Sequence, residues 1–353
     1  MTRLLGKLLA ILVLIAVIAI GFGYMQMQRY LHTALPIPAG GVEYTLAKGS
    51  SLNALAYSLY KQDLLTSPRW LMTYSRLTQR GTVIKAGDYQ FDQGLTPLTL
   101  LDKLEQGDMK YYQITLVEGW NLTQVLTALR SQPKLKQTIA SDALTITPSD
   151  LGIEVPYNQL EGLFFPDTYR YHSGTTDVEL LRQSYVQLQD FLAIEWQKKA
   201  DNLPYGTPYE ALILASLVEK ETGMTSERAE IAGVFVRRLQ KNMRLQTDPT
   251  IIYGLGASFD GNLRSRHLKD ASNLYNTYRH SGLPPTPIAL VGAEAILAAL
   301  HPKAGSSLYF VAKGDGSHYF SDTLEQHQKA VRKYQIKQRK KNYSSTPKKN
   351  NAG

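Results

Sequence analysis

The chain has 353 residues, 43% hydrophobic and 20% charged, which leaves room for two or three domains with real cores and excludes a disordered or collagen-like chain. It has no Cys, so disulfide scaffolds, thiol nucleophiles and thiolate metal sites are excluded. Its net charge of +9 invites a nucleic-acid partner, but residues 1–29 carry +3, residues 331–353 carry +8 and the body carries −2, whereas a nucleic-acid-binding domain carries its charge on the folded face.

Leu8 to Met25 is a run of 18 uncharged, mostly aliphatic residues. Such a run matches the ~20 residues that cross a ~30 Å hydrocarbon core. Arg3 and Lys7 precede it, so the positive-inside rule places residues 1–7 in the cytoplasm, residues 8–27 in the membrane and the rest outside. The alternative is a cleaved signal peptide ending near Ala19-Ile20-Gly21, although the run is long for that role. A linker over 28–41 follows. Residues 42–47 alternate as a strand, Ser51 caps a helix with Leu52, Leu55, Ala56 and Leu59 on one face, and Pro68–Gln79 forms a second helix. Lys85–Tyr89 turns into a strand, and Thr99–Glu105 is a helix closed by Gly107, so 42–108 forms a small β-α-α-β module with a further helix.

Tyr111–Glu118 reads as a strand and Leu122–Arg130 as a helix, with a variable connection over 131–158. Helices follow over Val178–Lys199, Tyr209–Thr222, Ser226–Lys241 and Gly292–Leu300. Leu308–Ala312 and His318–Phe320 form a final strand pair around Lys313-Gly314-Asp315-Gly316. The fold class is therefore α+β: an apolar amino-terminal helix, a small β-α-α-β module, and a mainly helical domain over 109–330 with a small sheet. Residues 331–353 are polar and basic and read as a disordered tail, which weak attraction to anionic lipid or wall polymer would suit.

No HExxH, Walker loop, complete nucleotide fingerprint or GxSxG elbow occurs, so the sequence calls for no metal or cofactor and leaves carboxylates for acid–base work. Glu219 ends a run of eight apolar or small residues, 211–218, that marks a buried helix. Burial and the helix carboxyl end both disfavour its ionised form, as a general acid in glycoside cleavage requires. The competing reading pairs Glu219 with Arg228 or Arg238. Glu221 points to another face and reads as structural. Glu161–Tyr169, Leu245–Thr250 and Tyr275–Tyr278 combine aromatic and polar residues as sugar-binding loops do, or form turns with core aromatics.

EGLFFPDTY (161–169), ASLVEKETG (215–223), RLQTDPTIIYG (244–254), YNTY (275–278) and GLPPTPI (282–288) in this order resemble the YceG-like (MltG) family of endolytic murein transglycosylases. The resemblance covers roughly 40–330 and the single anchor. It implies a single-pass enzyme of the inner membrane with its catalytic domain in the periplasm, and a LysM-like peptidoglycan-binding subdomain over 42–108. It further implies that the Glu of the EKET motif, read as Glu219, is catalytic. That residue would protonate the oxygen between MurNAc and GlcNAc, then deprotonate the C6 hydroxyl, which attacks C1 and leaves a 1,6-anhydro end. Gln246 and Thr247 would hold the sugar, Tyr275 and Asn276 would line the opposite wall, and Glu161 and Asp167 are further binding candidates. Thr286 stands where the family motif favours a small residue. Glycan strands are the implied substrate, with no nucleic acid involved, and peptidoglycan synthases the implied partners. The rival class is a membrane-tethered, non-catalytic peptidoglycan-binding scaffold.

Overall fold

The computed structural model describes residues 2–140 and 142–337, and the chain divides into two compact units. The first comprises the chain through Tyr112 together with Arg170–Gly174. It begins with α1 (Thr2–His32), followed by β1 (Val42–Leu46), α2 (Leu52–Lys61), α3 (Pro68–Thr78), β2 (Gly87–Phe91) and α4 (Pro97–Gln106). β1 and β2 are antiparallel, with Tyr44 opposite Tyr89. Ser51 caps α2 through Ala54 N, Thr96 caps α4 through Thr99 N, and Gly107 ends α4 in a left-handed conformation, so local sequence sets both helices. Leu55, Leu59, Leu71, Tyr89, Phe91 and Leu100 form the centre of its core.

α1 is longer than the apolar run. Its outward residues, such as Ile20 at 72% exposure, meet nothing in the protein, and it is the one helix among the described residues long and apolar enough to cross a membrane. Its last turns behave differently: Met27 and Leu31 are buried, and Leu35 and Ile37 join the core of the first unit. The expected linker over 28–41 is thus partly helix and partly core, because apolar residues continue at helical spacing past the membrane-length run.

The second unit contains Gln113–Tyr169 and the chain from Thr175 onward. The chain passes between units within β3 (Tyr111–Thr115) and β4 (Thr168–His172), which pair in a two-stranded sheet. α5 (Leu122–Arg130), α6 (Asp177–Trp196), α7 (Pro208–Glu221), α8 (Thr225–Gln240), α9 (Asp248–Leu255), α10 (Ser265–Lys269) and α11 (Ala293–Leu300) follow, then the antiparallel pair β5 (Tyr309–Ala312) and β6 (His318–Ser321), and α12 (Leu324–Val331). α7 sits at the centre, packed against α6, α8, α9 and α11, with Ala211 through Val218 all buried. Thr207 and Glu210 close a capping box at its start, and Pro208 fits its first turn.

The tail expectation needs a correction at its start. After α12 the chain continues as a π-helix over Arg332–Lys337, because Val331 and Gln335 line a cavity of the second unit rather than leaving it. The remainder of the tail lies outside the described residues.

If the end of α1 is part of a core, Leu31→Ala in the full-length protein should cost about 2–4 kcal/mol, the range for truncating a buried Leu. Chemical denaturation in detergent micelles, monitored by circular dichroism, measures it. A flexible linker would leave stability unchanged.

Candidate active site

The five sequence motifs meet in the second unit, and hydrogen bonds tie each to another. The Thr247 backbone N–H donates to Thr277 Oγ1 (3.0 Å), and the Gln246 N–H to the Thr277 carbonyl (3.2 Å), which fixes RLQTDPTIIYG against YNTY. Gln246 adopts φ +52, and Thr250 adds a hydroxyl pair with Thr277 at 3.0 Å. The Tyr253 hydroxyl donates to Glu161 Oε2 (3.0 Å), which joins RLQTDPTIIYG to EGLFFPDTY. The Tyr275 hydroxyl pairs with Thr286 Oγ1 (2.8 Å), and the Ile288 N–H donates to Ser216 Oγ (3.0 Å), which brings GLPPTPI to YNTY and to α7. Gly162 permits this closure, since a Cβ there would sit 2.4 Å from Pro287 Cβ.

The two carboxylates at the end of α7 have different surroundings. Glu219 has a side chain only 6% exposed, and its Oε1 accepts from Arg228 Nη2 at 3.1 Å. Its Oε2 accepts the Gly292 N–H at 3.2 Å, and Arg228 also reaches Glu118 at 3.6 Å. Burial raises its pKa and outweighs the opposing pull of Arg228. Glu219 is therefore held in an ion pair, the competing reading offered by the sequence. Glu221 faces the other way, as a two-residue step on a helix requires. It accepts a hydrogen bond from the Thr247 hydroxyl, and burial pushes its pKa up to about 7, with a further push from Asp248.

Glu221 borders two cavities. One, of about 510 Å³, is lined by Asn121, Lys220, Asp248, Pro249, Ile252 and Tyr253 among others. The second, of about 580 Å³, shares Glu221 and Asp248 with the first and extends past Gln246, Arg238, Tyr278 and Tyr309. A third, of about 470 Å³, shares Asn121, Tyr253 and Gly256 with the first and contains Glu161 and Tyr275. Glu221 and Asp248 thus border both the first and second cavities, and Asn121, Tyr253 and Gly256 border both the first and third. In the third cavity Glu161 accepts the Leu122 N–H on both oxygens at 3.1 Å, and burial pushes its pKa up to about 7. The Tyr253 and Tyr275 rings meet edge to face at 4.8 Å.

Gln246, Thr247, Glu161 and Tyr275 thus lie at or directly behind cavity walls, while two expected binding residues do not. Asn276 is fully buried, and its Nδ2 donates to the carbonyls of His267 (3.0 Å) and Asp270 (2.6 Å), so its amide is consumed in holding a loop. Asp167 accepts from the Thr168 N–H (2.7 Å) and Gln187 Nε2 (2.8 Å) and lines neither cavity that Glu221 borders, because it turns the chain into β4. The sequence places Pro249 in a candidate loop, Leu245–Thr250, but singles out none of Ile252, Tyr253 and Gly256 beside it. Their i, i+3, i+4, i+7 spacing marks one face of α9, and all four line the first cavity.

The model of the YceG-like family matches residues 44–333. The chain belongs to the YceG-like family. It is 34% identical over 311 residues to an endolytic murein transglycosylase of Bacillus subtilis, covering 83% of this chain and 84% of that protein. It is 28% identical over 357 residues to an endolytic murein transglycosylase of Streptococcus pneumoniae, covering 92% of this chain and 64% of that protein. A crystal structure of a YceG-like protein from Listeria monocytogenes matches with a TM-score of 0.50 at 28% identity, over 82% of this chain and 99% of that one. As a member of this family the chain is a lytic transglycosylase.

Both Glu161 and Glu221 keep a proton in the folded protein that the unfolded chain gives up near pH 4.5. Their pKa values are raised on folding, so stability is greatest below that pH and falls as pH rises towards about 7. Glu221→Gln removes one such group and should stabilise the protein at pH 8 by about 1–3 kcal/mol, with no gain at pH 4. Denaturant titrations at the two pH values measure it.

Proposed function

We propose that this protein is a membrane-anchored lytic transglycosylase that cuts the β-1,4 bond between MurNAc and GlcNAc inside nascent glycan strands. The observation that carries this reading is the position of Glu221, a carboxyl raised to about 7 at the junction of two cavities. A half-protonated carboxyl at neutral pH can donate a proton to a leaving oxygen and take one back. Glu221 then protonates the glycosidic oxygen, and as carboxylate it accepts the C6 hydroxyl proton of the same MurNAc. The C6 oxygen bonds to C1, and the strand is left with a 1,6-anhydro end without consumption of water. Cavities on both sides of the acid suit a strand gripped internally rather than by its end.

This moves the acid from Glu219 to Glu221. Glu219 becomes a positioning residue: with Arg228 it holds Gly292 and reaches Glu118, next to Gly119 at the wall of the first cavity. Tyr253 and Tyr275 offer ring faces and edges to sugars, and Lys220, which donates to the Gly119 carbonyl at 3.0 Å, places a cation beside the acid.

Residues 42–108 of the first unit would be the LysM-like, glycan-gripping module, a reading that their β-α-α-β order and antiparallel strands support. α1 crosses the membrane with Arg3 and Lys7 on the cytoplasmic side and carries both units outside, where cutting is confined to strands near their site of synthesis. That placement puts the enzyme beside glycan-polymerising synthases and makes it a terminator of strand elongation.

The test is muropeptide mass spectrometry on purified glycan strands. Glu221→Gln should form no anhydro-ended product, a loss of at least 1,000-fold. Glu219→Gln should keep forming it while losing roughly 3 kcal/mol of stability, since Arg228 loses its close partner. Full activity in Glu221→Gln would return the acid to Glu219 or Glu161, and products with reducing ends would make the protein a hydrolase. The absence of any product from the folded wild type would favour a binding scaffold.

A further inference from the structure

The second cavity beside Glu221 contains a charge that the cleavage step does not use. Arg238, on α8, is only 7% exposed. Its Nε donates to the Leu308 carbonyl (2.7 Å), and its Nη1 to the carbonyls of Arg244 (3.1 Å) and Leu245 (2.8 Å) and to Gln246 Oε1 (3.4 Å). Its guanidinium lies 5.0 Å from the centre of the Tyr309 ring. None of these partners carries a charge, and no carboxylate lies within ion-pair distance of Arg238 among the described residues. Arg228, ten positions earlier on the same helix, is equally buried and faces both Glu219 and Glu118. One helix thus buries two arginines, one neutralised from within and one not.

Taking a guanidinium out of water without a counter-ion costs several kcal/mol, and burial holds the pKa of Arg238 below its usual range. The other groups of the cavity do not neutralise it: Glu221 accepts from the Thr247 hydroxyl, is pushed up to about 7 by burial, and makes no ion pair with Arg238 among the described residues. Asp248 is exposed and accepts from the Tyr278 hydroxyl at 2.7 Å, while His318 is matched by Glu227 at 2.7 Å. Burial lowers the pKa of His327, which keeps that ring neutral. The Arg238 guanidinium lines the cavity, and its Nη2 makes no hydrogen bond among the described residues. A planar donor held by backbone carbonyls and open on one edge is built for an oxygen anion.

We propose that this cavity is a carboxylate subsite centred on Arg238, filled by the acidic arm of the muramoyl unit bound next to Glu221. This rests on the glycan-cleaving reading above. The sugar rings themselves are neutral. Anionic oxygens reach this position only from the lactyl arm, either as its free acid or through the carboxylates of the peptide stem attached to it. The enzyme therefore selects the strand by the charge beside the bond as well as by the sugar, and Arg238 is a specificity-determining residue.

The experiment measures kcat/KM of the full-length protein in detergent on three glycan strands of equal length. One carries acidic peptide stems, one carries the same stems with their carboxylates amidated, and one is stripped to the lactyl acid. The amidated strands should be cut at least 10-fold more slowly than the acidic ones. Stripped strands that match the acidic ones show that the freed lactyl carboxylate takes the place of the stem's, and stripped strands as slow as the amidated ones restrict the occupant to the stem. Equal rates on acidic and amidated strands, with anhydro ends formed on both, overturn the subsite while leaving the lyase reading intact. Arg238→Gln, checked for folding by circular dichroism, should bring the acidic-to-amidated ratio to about 1. A ratio still near 10 in that folded variant also overturns the proposal, and if the variant does not fold, the wild-type comparison decides.

Discussion

The second unit depends on the burial of α7. Eight consecutive residues, Ala211 to Val218, have no polar face, so the helix is stable only when enclosed by neighbours on all sides. α6, α8, α9 and α11 provide that enclosure. Where the apolar run ends, Glu219, Lys220 and Glu221 are forced to the border between the core and the cavities. Low dielectric and the negative end of the helix dipole act on both carboxyls there, and both raise a carboxyl pKa. The helix thus produces a protonatable group near neutral pH, with Asp248 adding to the push on Glu221.

Around this helix the cavity walls are loops, and their precision comes from hydroxyls and amides. Thr247, Thr250 and Thr277 form one buried cluster, and Tyr253 with Glu161 and Tyr275 with Thr286 form two further links. Each link joins segments far apart in the chain, so the loops carry little freedom when substrate arrives and lose little entropy on binding. Asn276 shows the same logic: its amide donates to three carbonyls of a single loop and so holds that loop in place.

Much of this was legible in the sequence. The apolar run before Arg29, the cap at Ser51, the stop at Gly107 and the buried stretch before Glu219 depend on local spacing, and the folded chain follows them. The different surroundings of Glu219 and Glu221 were not legible, because they depend on which face of α7 meets Arg228, and Arg228 comes from the next helix. The internal partners of Asn276 and Asp167 were not legible for the same reason: His267, Asp270 and Gln187 reach them only in the folded chain. In the sequence Arg238 is legible only as one possible partner for Glu219; that it has no acidic partner among the described residues emerges only from the fold. The α9 face, by contrast, was present as a helical repeat within a quoted motif.

The central claim is that Glu221, and not its neighbour two residues earlier, delivers the proton. A crystal structure of the Glu221→Gln protein with a bound glycan oligomer tests it most directly. The account predicts sugars in the cavities on both sides of residue 221, with the scissile glycosidic oxygen within hydrogen-bond distance of the residue-221 side chain and the Glu219–Arg228 pair intact. A glycan whose scissile oxygen faces Glu219 or Glu161, or one that leaves those cavities empty, would contradict it.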